Sequence, residues 1–295
     1  MKIHSAFLLS CFSTLTVLSL NAQQSPSLLA GVQIERGIEF LAAGRKERAD
    51  LYLPTNTLAG EPHPAVVIIH GGGWSGGRRD AEREQNIGTN LALQGYVGMS
   101  IDYVLASKTH ATWPQNLYDC KTAVRWLRKN AERLRIDPNR IGVIGGSAGG
   151  HLAAMVTLTT PTDGLDPKEP YGEFSCRVSC GVDLYGIADL TAYHDASMLG
   201  NTLADAPELY HLASPVTYVR SNSPPMLIIH GTADNTVSVK QSELFAGVLQ
   251  KAGANYQLII IPGAPHTFDL QPKQRDLRPV VLGFFDKFLK SVKLP

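Results

Sequence analysis

The chain has little that would assign it to a specialised class of protein. Its 27 lysines and arginines nearly balance its 26 aspartates and glutamates, and the net charge is +1. That balance gives no electrostatic footprint for nucleic acid or for an acidic membrane surface. There is no internal repeat and no biased tract, and 44% of the residues are hydrophobic. The 295 residues are therefore expected to form a globular protein, with either one large α/β domain or two ordinary ones.

Cysteine is scarce, with four residues in the chain. Cys11 lies near the N-terminus, which leaves Cys120, Cys176 and Cys180, and their spacing does not match a zinc site. A disulfide between Cys176 and Cys180 requires a turn, because in an extended segment their Cα atoms lie too far apart. The sequence favours buried free thiols.

The N-terminal apolar stretch, residues 6–20, is too short and too early for a membrane anchor. Lys2 precedes it and Ala22 offers a small residue for cleavage, so residues 1–22 are predicted to be an export signal. The alternatives are a buried N-terminal helix, or lipidation at Cys11 within a lipobox-like sequence. The sequence thus predicts a secreted or periplasmic protein with no transmembrane segment.

Apolar runs typical of strands alternate with helical stretches over the rest of the chain, residues 23–295. This alternation predicts an α/β fold, with a mostly parallel sheet of about eight strands, helices on both faces and an N-terminal antiparallel hairpin over residues 31–53. No shift in composition marks a second domain. We therefore predict one domain, with a small, partly helical insertion over the site at residues 186–223.

A G-x-S-x-G pattern at Gly145–Gly149 lies between an apolar run and a good helix former. This order predicts a sharp strand-to-helix turn that exposes Ser147 as a nucleophile. The alternative is an ordinary glycine-rich loop.

A serine nucleophile needs a histidine base, and the base needs a carboxylate to orient it. Ligands of an open parallel sheet bind at the carboxyl ends of its strands, where Asp234 and His266 each follow a predicted strand. Asp183 is the second candidate for the acid, since Asp234 could instead cap a helix and His266 could be an ordinary loop residue. The other histidines are expected to have structural or surface roles: His151 packing on its helix, His230 in a structural hydrogen bond, and His194 and His211 in the insertion.

The segment His70–Trp74 contains three glycines directly after a predicted strand. Its expected role is an oxyanion hole, formed by the amides of Gly72 and Gly73 with that of Ala148. A phosphate-binding loop is the alternative, but no Gly-Lys-Ser/Thr follows the glycines.

Together, His70–Trp74, Gly145–Gly149, Gly231–Asp234 and His266 resemble the α/β-hydrolase esterases that carry an HGGGW oxyanion loop. The nearest group is the secreted bacterial carboxylesterases related to feruloyl and acetylxylan esterases and to kynurenine formamidase. Further segments with this resemblance are 123–128, 136–141, 146–152 and 213–216. Many relatives have Asp-Tyr-Arg where this chain has Asp-Tyr-Val at 102–104, which removes a cation near the site.

The resemblance implies an α/β-hydrolase fold and a serine carboxylesterase that needs no metal or cofactor. Roughly ten residues separate the predicted cleavage site from the first strand, which is too few for a two-helix cap. An open site favours short acyl groups or bulky soluble esters, such as acetyl or feruloyl groups on plant polysaccharide. Four aromatic residues near strand ends are candidates for stacking on a sugar or an aromatic acid, with core or rim packing as the alternative: Trp74, Tyr103, Trp113 and Tyr185.

Two other functions compete with the esterase. One is an amide hydrolase with the same triad, either an arylformamidase or a prolyl-oligopeptidase-like peptidase. The predicted export signal argues against the arylformamidase, whose pathway is normally intracellular. The other is a non-catalytic carbohydrate-binding protein. The sequence leaves the oligomeric state open.

Overall fold

Nine strands form a single sheet in the part of the chain that the computed structural model describes, residues 27–55, 61–193 and 195–290. The predicted export signal, Cys11 and His194 lie outside the described residues. The strands are β1 (Ser27–Leu29), β2 (Val32–Ile38), β3 (Ala49–Pro54), β4 (His63–Ile69), β5 (Val97–Ile101), β6 (Ile136–Gly146), β7 (Cys180–Leu184), β8 (Met226–Gly231) and β9 (Tyr256–Ile261).

The sheet order is β1-β2-β3-β5-β4-β6-β7-β8-β9. β1, β2 and β3 pair antiparallel, and β3 also pairs antiparallel with β5. Every pairing from β5 through β9 is parallel. This is the mostly parallel sheet with an N-terminal hairpin that the sequence predicts. The strand beyond the predicted eight is β1, a three-residue strand on the outer edge of the hairpin.

The described helices are α1 (Glu82–Leu93), α2 (Gln115–Lys129), α3 (Ala131–Leu134), α4 (Ala148–Leu158), α5 (Pro207–Leu212), α6 (Lys240–Ala252) and α7 (Arg278–Leu289). None of the helices in the described ranges is long and apolar enough to cross a membrane. The helical pattern from Pro114 to Leu134 predicts one helix, but the structure divides it at Asn130, whose amide still donates to the carbonyl of Trp126. Left-handed backbone at Arg135 (φ 51°) then directs the chain into β6.

Alternate residues of the central strands supply two hydrophobic layers. In β4, Val67 and Ile69 pack on the face covered by α2, α4 and α6, while Val66 and Ile68 pack on the face covered by α1 and α7. Every residue of β5 and β7 is buried, including the polar residues Ser100 and Asp183, because helices cover both faces of the sheet. The sheet is therefore rigid at its centre, and the loops at its carboxyl edge are anchored on it.

The insertion at residues 186–223 is irregular, as predicted. It contains α5 and the short 3₁₀ segments Leu190–Ala192, Ser197–Leu199 and Pro215–Tyr218. Cys120, Cys176 and Cys180 are free and buried in the described structure, and no disulfide joins the last two.

Candidate active site

Ser147 lies at the apex of the turn between β6 and α4, with left-handed backbone (φ 58°, ψ −125°). The flanking glycines are required by close backbone contacts. A Cβ on Gly145 would lie 2.2 Å from the carbonyl oxygen of Gly149, and one on Gly149 would lie 2.2 Å from that of Ile69. The Ser147 amide donates to the carbonyl of Leu184 at 2.9 Å, which fixes the turn against β7. This is the strained nucleophile turn that the pattern predicts.

Three side chains from distant parts of the chain form one line of hydrogen bonds. The imidazole of His266 lies with Nε2 3.0 Å from Ser147 Oγ and Nδ1 2.6 Å from Asp234 Oδ2. Since the carboxylate can only accept, Nδ1 carries the proton and Nε2 accepts from the serine hydroxyl. His266 keeps 16% of its side chain exposed, whereas the Asp234 side chain is fully buried. The structure thus brings together the serine, histidine and aspartate that sequence order selects.

Asp234 is held by four hydrogen bonds in all. Its Oδ1 accepts from the amides of Thr236 and Val237, each at 2.8 Å, and its Oδ2 accepts from His230 as well as from His266. Burial by itself raises the pKa of Asp234, but the hydrogen bonds from His266, Val237 and Thr236 outweigh it, so the pKa lies below its ordinary value. The carboxylate is therefore kept ionised and fixed in orientation.

His230 makes the structural hydrogen bond expected from the sequence, and its partner is Asp234. Its ring is buried, with Nδ1 2.7 Å from Ser242 Oγ and Nε2 3.1 Å from Asp234 Oδ2 and 2.9 Å from the Val237 carbonyl. Two acceptors at Nε2 place the proton there, so Nδ1 accepts from the serine hydroxyl. Burial lowers the pKa of His230, which favours this neutral form.

The glycine segment after β4 curls beside Ser147. Gly72 (φ 115°), Gly73 (φ 58°) and Trp74 (φ 58°) all adopt left-handed or related backbone. A Cβ on Gly72 would lie 2.3 Å from the Gly76 carbonyl oxygen, so only glycine fits. The amides of Gly72, Gly73 and Ala148 donate to no acceptor among the described residues. They are available as donors to a bound oxygen.

This segment, residues 70–77, is tied to the rest of the fold through a buried histidine. Trp74 Nε1 donates to His151 Nδ1 at 3.2 Å, and His151 Nε2 donates to the Ala213 carbonyl at 2.7 Å. Burial lowers the pKa of His151 to about 4, which keeps it neutral as both contacts require. Ser197 in the insertion also donates to the Gly73 carbonyl at 2.7 Å.

The proposed stacking role of the aromatic residues is corrected for three of the four. Trp74, Tyr103 and Tyr185 are each 1% exposed or less, because they fill space beside the glycines and bond to neighbouring groups. Tyr103 donates to the His70 carbonyl at 3.1 Å, and Tyr185 donates to the Phe268 carbonyl at 2.7 Å. Trp113 is half-buried, with its ring 6.4 Å from that of His151. The buried rings support the site and offer no face to a substrate.

Asp183, the second candidate for the acid, lies on β7 and is turned away from His266. Its Oδ1 accepts from the Gly186 amide at 2.8 Å and packs against Gly150. His211 is exposed in the insertion, with its Nδ1 3.5 Å from the hydroxyl of Thr217. Neither Asp183 nor His211 contacts the line of hydrogen bonds at Ser147.

A cleft of about 1110 Å³ opens over Ser147 and His266. Its walls are the residues leading into α1 on one side and the loop between β9 and α7 on the other, and they carry Arg78, Glu82, Asp269 and Lys273. Phe268, the aromatic residue in this lining, is only 6% exposed. No residue of the insertion at 186–223 contributes to this wall in the described structure. The cleft is open to solvent and has charged side chains in its walls.

The site can perform nucleophilic acyl transfer. A hydroxyl that donates to an oriented imidazole can attack a carbonyl, and nearby free amides can stabilise the resulting oxyanion. The described residues contain no group of three histidine, cysteine, aspartate or glutamate side chains arranged to hold a metal ion.

The chain is similar in sequence to known esterases. The chain is 34% identical over 222 residues to esterase LipC of Mycobacterium tuberculosis, covering 71% of this chain and 54% of LipC. The chain spans about half the length of the curated relatives it matches.

Two solved structures confirm the fold. A truncated carbohydrate esterase from gut microbiota superposes with a TM-score of 0.78 at 26% identity, covering 88% of this chain and 96% of that one. An acetyl ester-xyloside bifunctional hydrolase from Caldicellulosiruptor lactoaceticus superposes with a TM-score of 0.70 at 28% identity, covering 83% and 89%. The BD-FAE family profile matches residues 49–249. This protein, with its α/β-hydrolase fold, therefore belongs to the BD-FAE family.

Proposed function

We propose that the protein is a serine carboxylesterase. The observation that carries the proposal is the hydrogen-bonded line Ser147–His266–Asp234, placed beside amides that have no acceptor in the described structure. The names of LipC and of the two solved structures support ester cleavage over the amide hydrolases.

In this mechanism Ser147 Oγ attacks the ester carbonyl while His266 Nε2 takes the hydroxyl proton. The oxyanion of the tetrahedral intermediate accepts hydrogen bonds from the amides of Gly72, Gly73 and Ala148. His266 then gives the proton to the leaving alcohol as the C–O bond breaks, and an acyl-enzyme remains. A water molecule, deprotonated by His266, attacks this ester; His266 then returns the proton to Ser147 Oγ as the acyl C–O bond breaks, and the acid is released. Asp234 orients His266 and stabilises its positive charge in both halves of the cycle.

The proposed substrates are esters of short acids with a polar, soluble alcohol such as a carbohydrate. An open cleft with charged walls suits an alcohol that stays hydrated, and a cleft open to solvent does not enclose a long acyl chain. The carbohydrate-esterase neighbours support an acetylated polysaccharide as substrate, with feruloyl esters as a second class. Export by residues 1–22 would bring the enzyme to such a polymer outside the cell or in the periplasm.

Replacement of the nucleophile tests the activity. Ser147→Ala is expected to lower kcat for p-nitrophenyl acetate by about 10³-fold or more, because the nucleophile is lost while the amide donors remain. Ser221→Ala, at an exposed serine in the insertion, is the matched control and keeps the wild-type rate. A fluorophosphonate should label wild type and the control but not Ser147→Ala. Equal rates for wild type and Ser147→Ala would refute the proposal.

Acyl esters of graded chain length, acetylated xylan and methyl ferulate then test the substrate class. Faster cleavage of acetyl and acetylxylan substrates than of chains of eight or more carbons is expected. A preference for long chains would contradict the proposed substrate class.

A further inference from the structure

A buried arginine lies where the catalytic segments meet, although no sequence motif points to it. Arg83 is the second residue of α1, and only 11% of its side chain is exposed. A Cβ on Gly146 would lie 2.6 Å from its Nη1, and a Cβ on Gly71 would lie 3.4 Å from its Nη2. The guanidinium therefore fills the space that these glycines leave, between the start of the oxyanion segment (residues 70–77) and the start of the nucleophile turn (Gly145–Gly149).

The same guanidinium reaches the histidine loop through Tyr185. Arg83 Nη1 donates to the Tyr185 hydroxyl at 2.9 Å, and that hydroxyl donates to the Phe268 carbonyl at 2.7 Å. The Tyr185 ring packs edge-on against His266, with centroids 4.9 Å apart, and against Phe268 at 4.4 Å. The ring thus lies directly behind the imidazole that must face Ser147.

Tyr185 is itself held in a conformation that leaves it little freedom. It directly follows β7 with left-handed backbone (φ 44°), and its amide donates to the Ile229 carbonyl at 2.7 Å. A Cβ on Gly146 would also lie 2.8 Å from the Tyr185 hydroxyl, so the glycine before the nucleophile makes room for both partners. Left-handed backbone at a bulky residue is unfavourable and persists only where the surroundings enforce it.

Glu84 fixes the other side of the guanidinium. Its Oε1 accepts from Arg83 Nε at 2.8 Å and also from Nη2, and Glu84 is buried. Desolvation offsets most of the attraction in a buried ion pair, so such a pair gives little net stability over apolar residues of similar volume. The Arg83–Glu84 pair lies against the oxyanion segment, the nucleophile turn and the histidine loop, which favours a role in fixing their relative positions.

We propose that Arg83, acting through Tyr185, is a positioning residue that fixes the oxyanion segment, the nucleophile turn and the histidine loop relative to one another. The inference rests on the proposed function. Displacement of a reacting group by about 1 Å can cost on the order of 10² in rate, so loss of this contact should reduce turnover more than substrate binding.

The test compares Arg83→Met, Arg83→Lys, Tyr185→Phe and the double variant Arg83→Met/Tyr185→Phe with wild type, using p-nitrophenyl acetate. Arg83→Met should lower kcat by about 10²-fold with KM changed less than about threefold, and Arg83→Lys should retain part of the activity. Tyr185→Phe keeps the ring on His266 and should lower kcat about tenfold. The double variant should match Arg83→Met, since Arg83→Met already breaks the contact between the guanidinium and the tyrosine hydroxyl that Tyr185→Phe removes.

Arg278→Met is the matched control, because Arg278 is also in the first turn of a helix and pairs with a nearby acid, Asp276, at 2.7 Å on the surface. It should leave kcat and KM unchanged. Unfolding midpoints are measured for every variant, and Tyr185→Phe carries the test if Arg83→Met fails to fold.

Wild-type kcat in folded Arg83→Met or Tyr185→Phe would overturn the inference. A loss confined to KM would overturn it too, as would a double variant whose loss is the product of the two single losses. If wild type itself is neither active nor labelled by a fluorophosphonate, the esterase assignment fails, and that result is distinct from a failure of the Arg83 proposal.

Discussion

The carboxyl of Asp183 shows how strongly burial can change the pKa of a single residue. It is 1% exposed, its Oδ1 accepts from Gly186, and its Oδ2 has no partner among the described residues. Burial raises the pKa of Asp183 from 3.8 to about 7, with the Gly186 hydrogen bond opposing the rise. The group beneath the nucleophile helix is thus protonated in mildly acidic solution and carries an unfavourable buried charge above neutrality.

Asp183→Asn should therefore stabilise the protein in a pH-dependent way. The folded state holds this proton more tightly than the unfolded chain, so the wild-type free energy of unfolding falls as the pH rises from about 4 to about 7. The asparagine variant lacks this fall, and its advantage over wild type should grow by on the order of 3 kcal/mol across that range. Urea unfolding between pH 4.5 and pH 8 measures it, with Asp205→Asn at an exposed carboxylate as the control. A constant difference across pH would contradict the prediction.

At individual positions, the sequence locates a residue relative to a strand end but does not give the direction of its side chain. Ser147, Asp234 and His266 could be placed because their loops all emerge at the same edge of the sheet. Tyr185 also follows a strand, yet it points inward, because Gly146 leaves room for its hydroxyl beside Arg83. Arg83 itself lies in an ordinary polar helix start, and only three-dimensional contacts reveal it.

Among the elements, the oxyanion segment at residues 70–77 depends on a connection that runs through α4 to α5. His151 accepts a hydrogen bond from the Trp74 indole N–H and donates one to the carbonyl of Ala213, the residue that follows α5. The sequence predicts that His151 packs on its helix, but not that it joins the glycine segment to the insertion. That connection depends on contacts between residues 62 and 77 positions apart, which no local pattern encodes.

His151→Leu should weaken this connection. Two buried hydrogen bonds are lost, and an indole N–H and a carbonyl are left without partners, so the free energy of unfolding should fall by about 2–4 kcal/mol. Turnover of p-nitrophenyl acetate should fall as well, because the segment that carries Gly72 and Gly73 is less firmly held. Trp74→Phe removes the indole donor together with part of a buried ring, so it should also lower the free energy of unfolding. Wild-type stability and rate for His151→Leu would show that the connection has no energetic role.

Secondary structure follows the sequence wherever patterns are strong. The apolar run over 256–261 predicts a strand with the bounds of β9. The helical pattern over 238–252 and the predicted hairpin over 31–53 agree with the structure to within a few residues. Disagreements fall where tertiary contacts decide the boundary. β6 begins at Ile136 because His63 pairs with that residue, and the insertion takes its form from packing on α4.

For the molecule as a whole, the site joins parts of unequal stability. Ser147 follows β6, a central strand, whereas His266 follows β9, the last strand of the sheet in the described residues. Residues 141–146 of β6, which lead to Ser147, are all buried, but in β9 Gln257 is exposed and three further residues are only half-buried. An edge strand with fewer buried contacts opens at a lower free-energy cost than the centre of the sheet.

Hydrolysis should therefore fail before the molecule denatures. In a urea titration, the rate with p-nitrophenyl acetate is expected to decline at concentrations where far-UV circular dichroism is still native. The reason is that local unfolding of β9 moves His266 away from Ser147 while the central strands stay folded. Coincident midpoints for activity and circular dichroism would contradict the prediction, because they would indicate that β9 and the central strands unfold together. A substitution that stabilises β9 alone would then keep the enzyme active at higher urea concentrations, with little change in the midpoint of global unfolding.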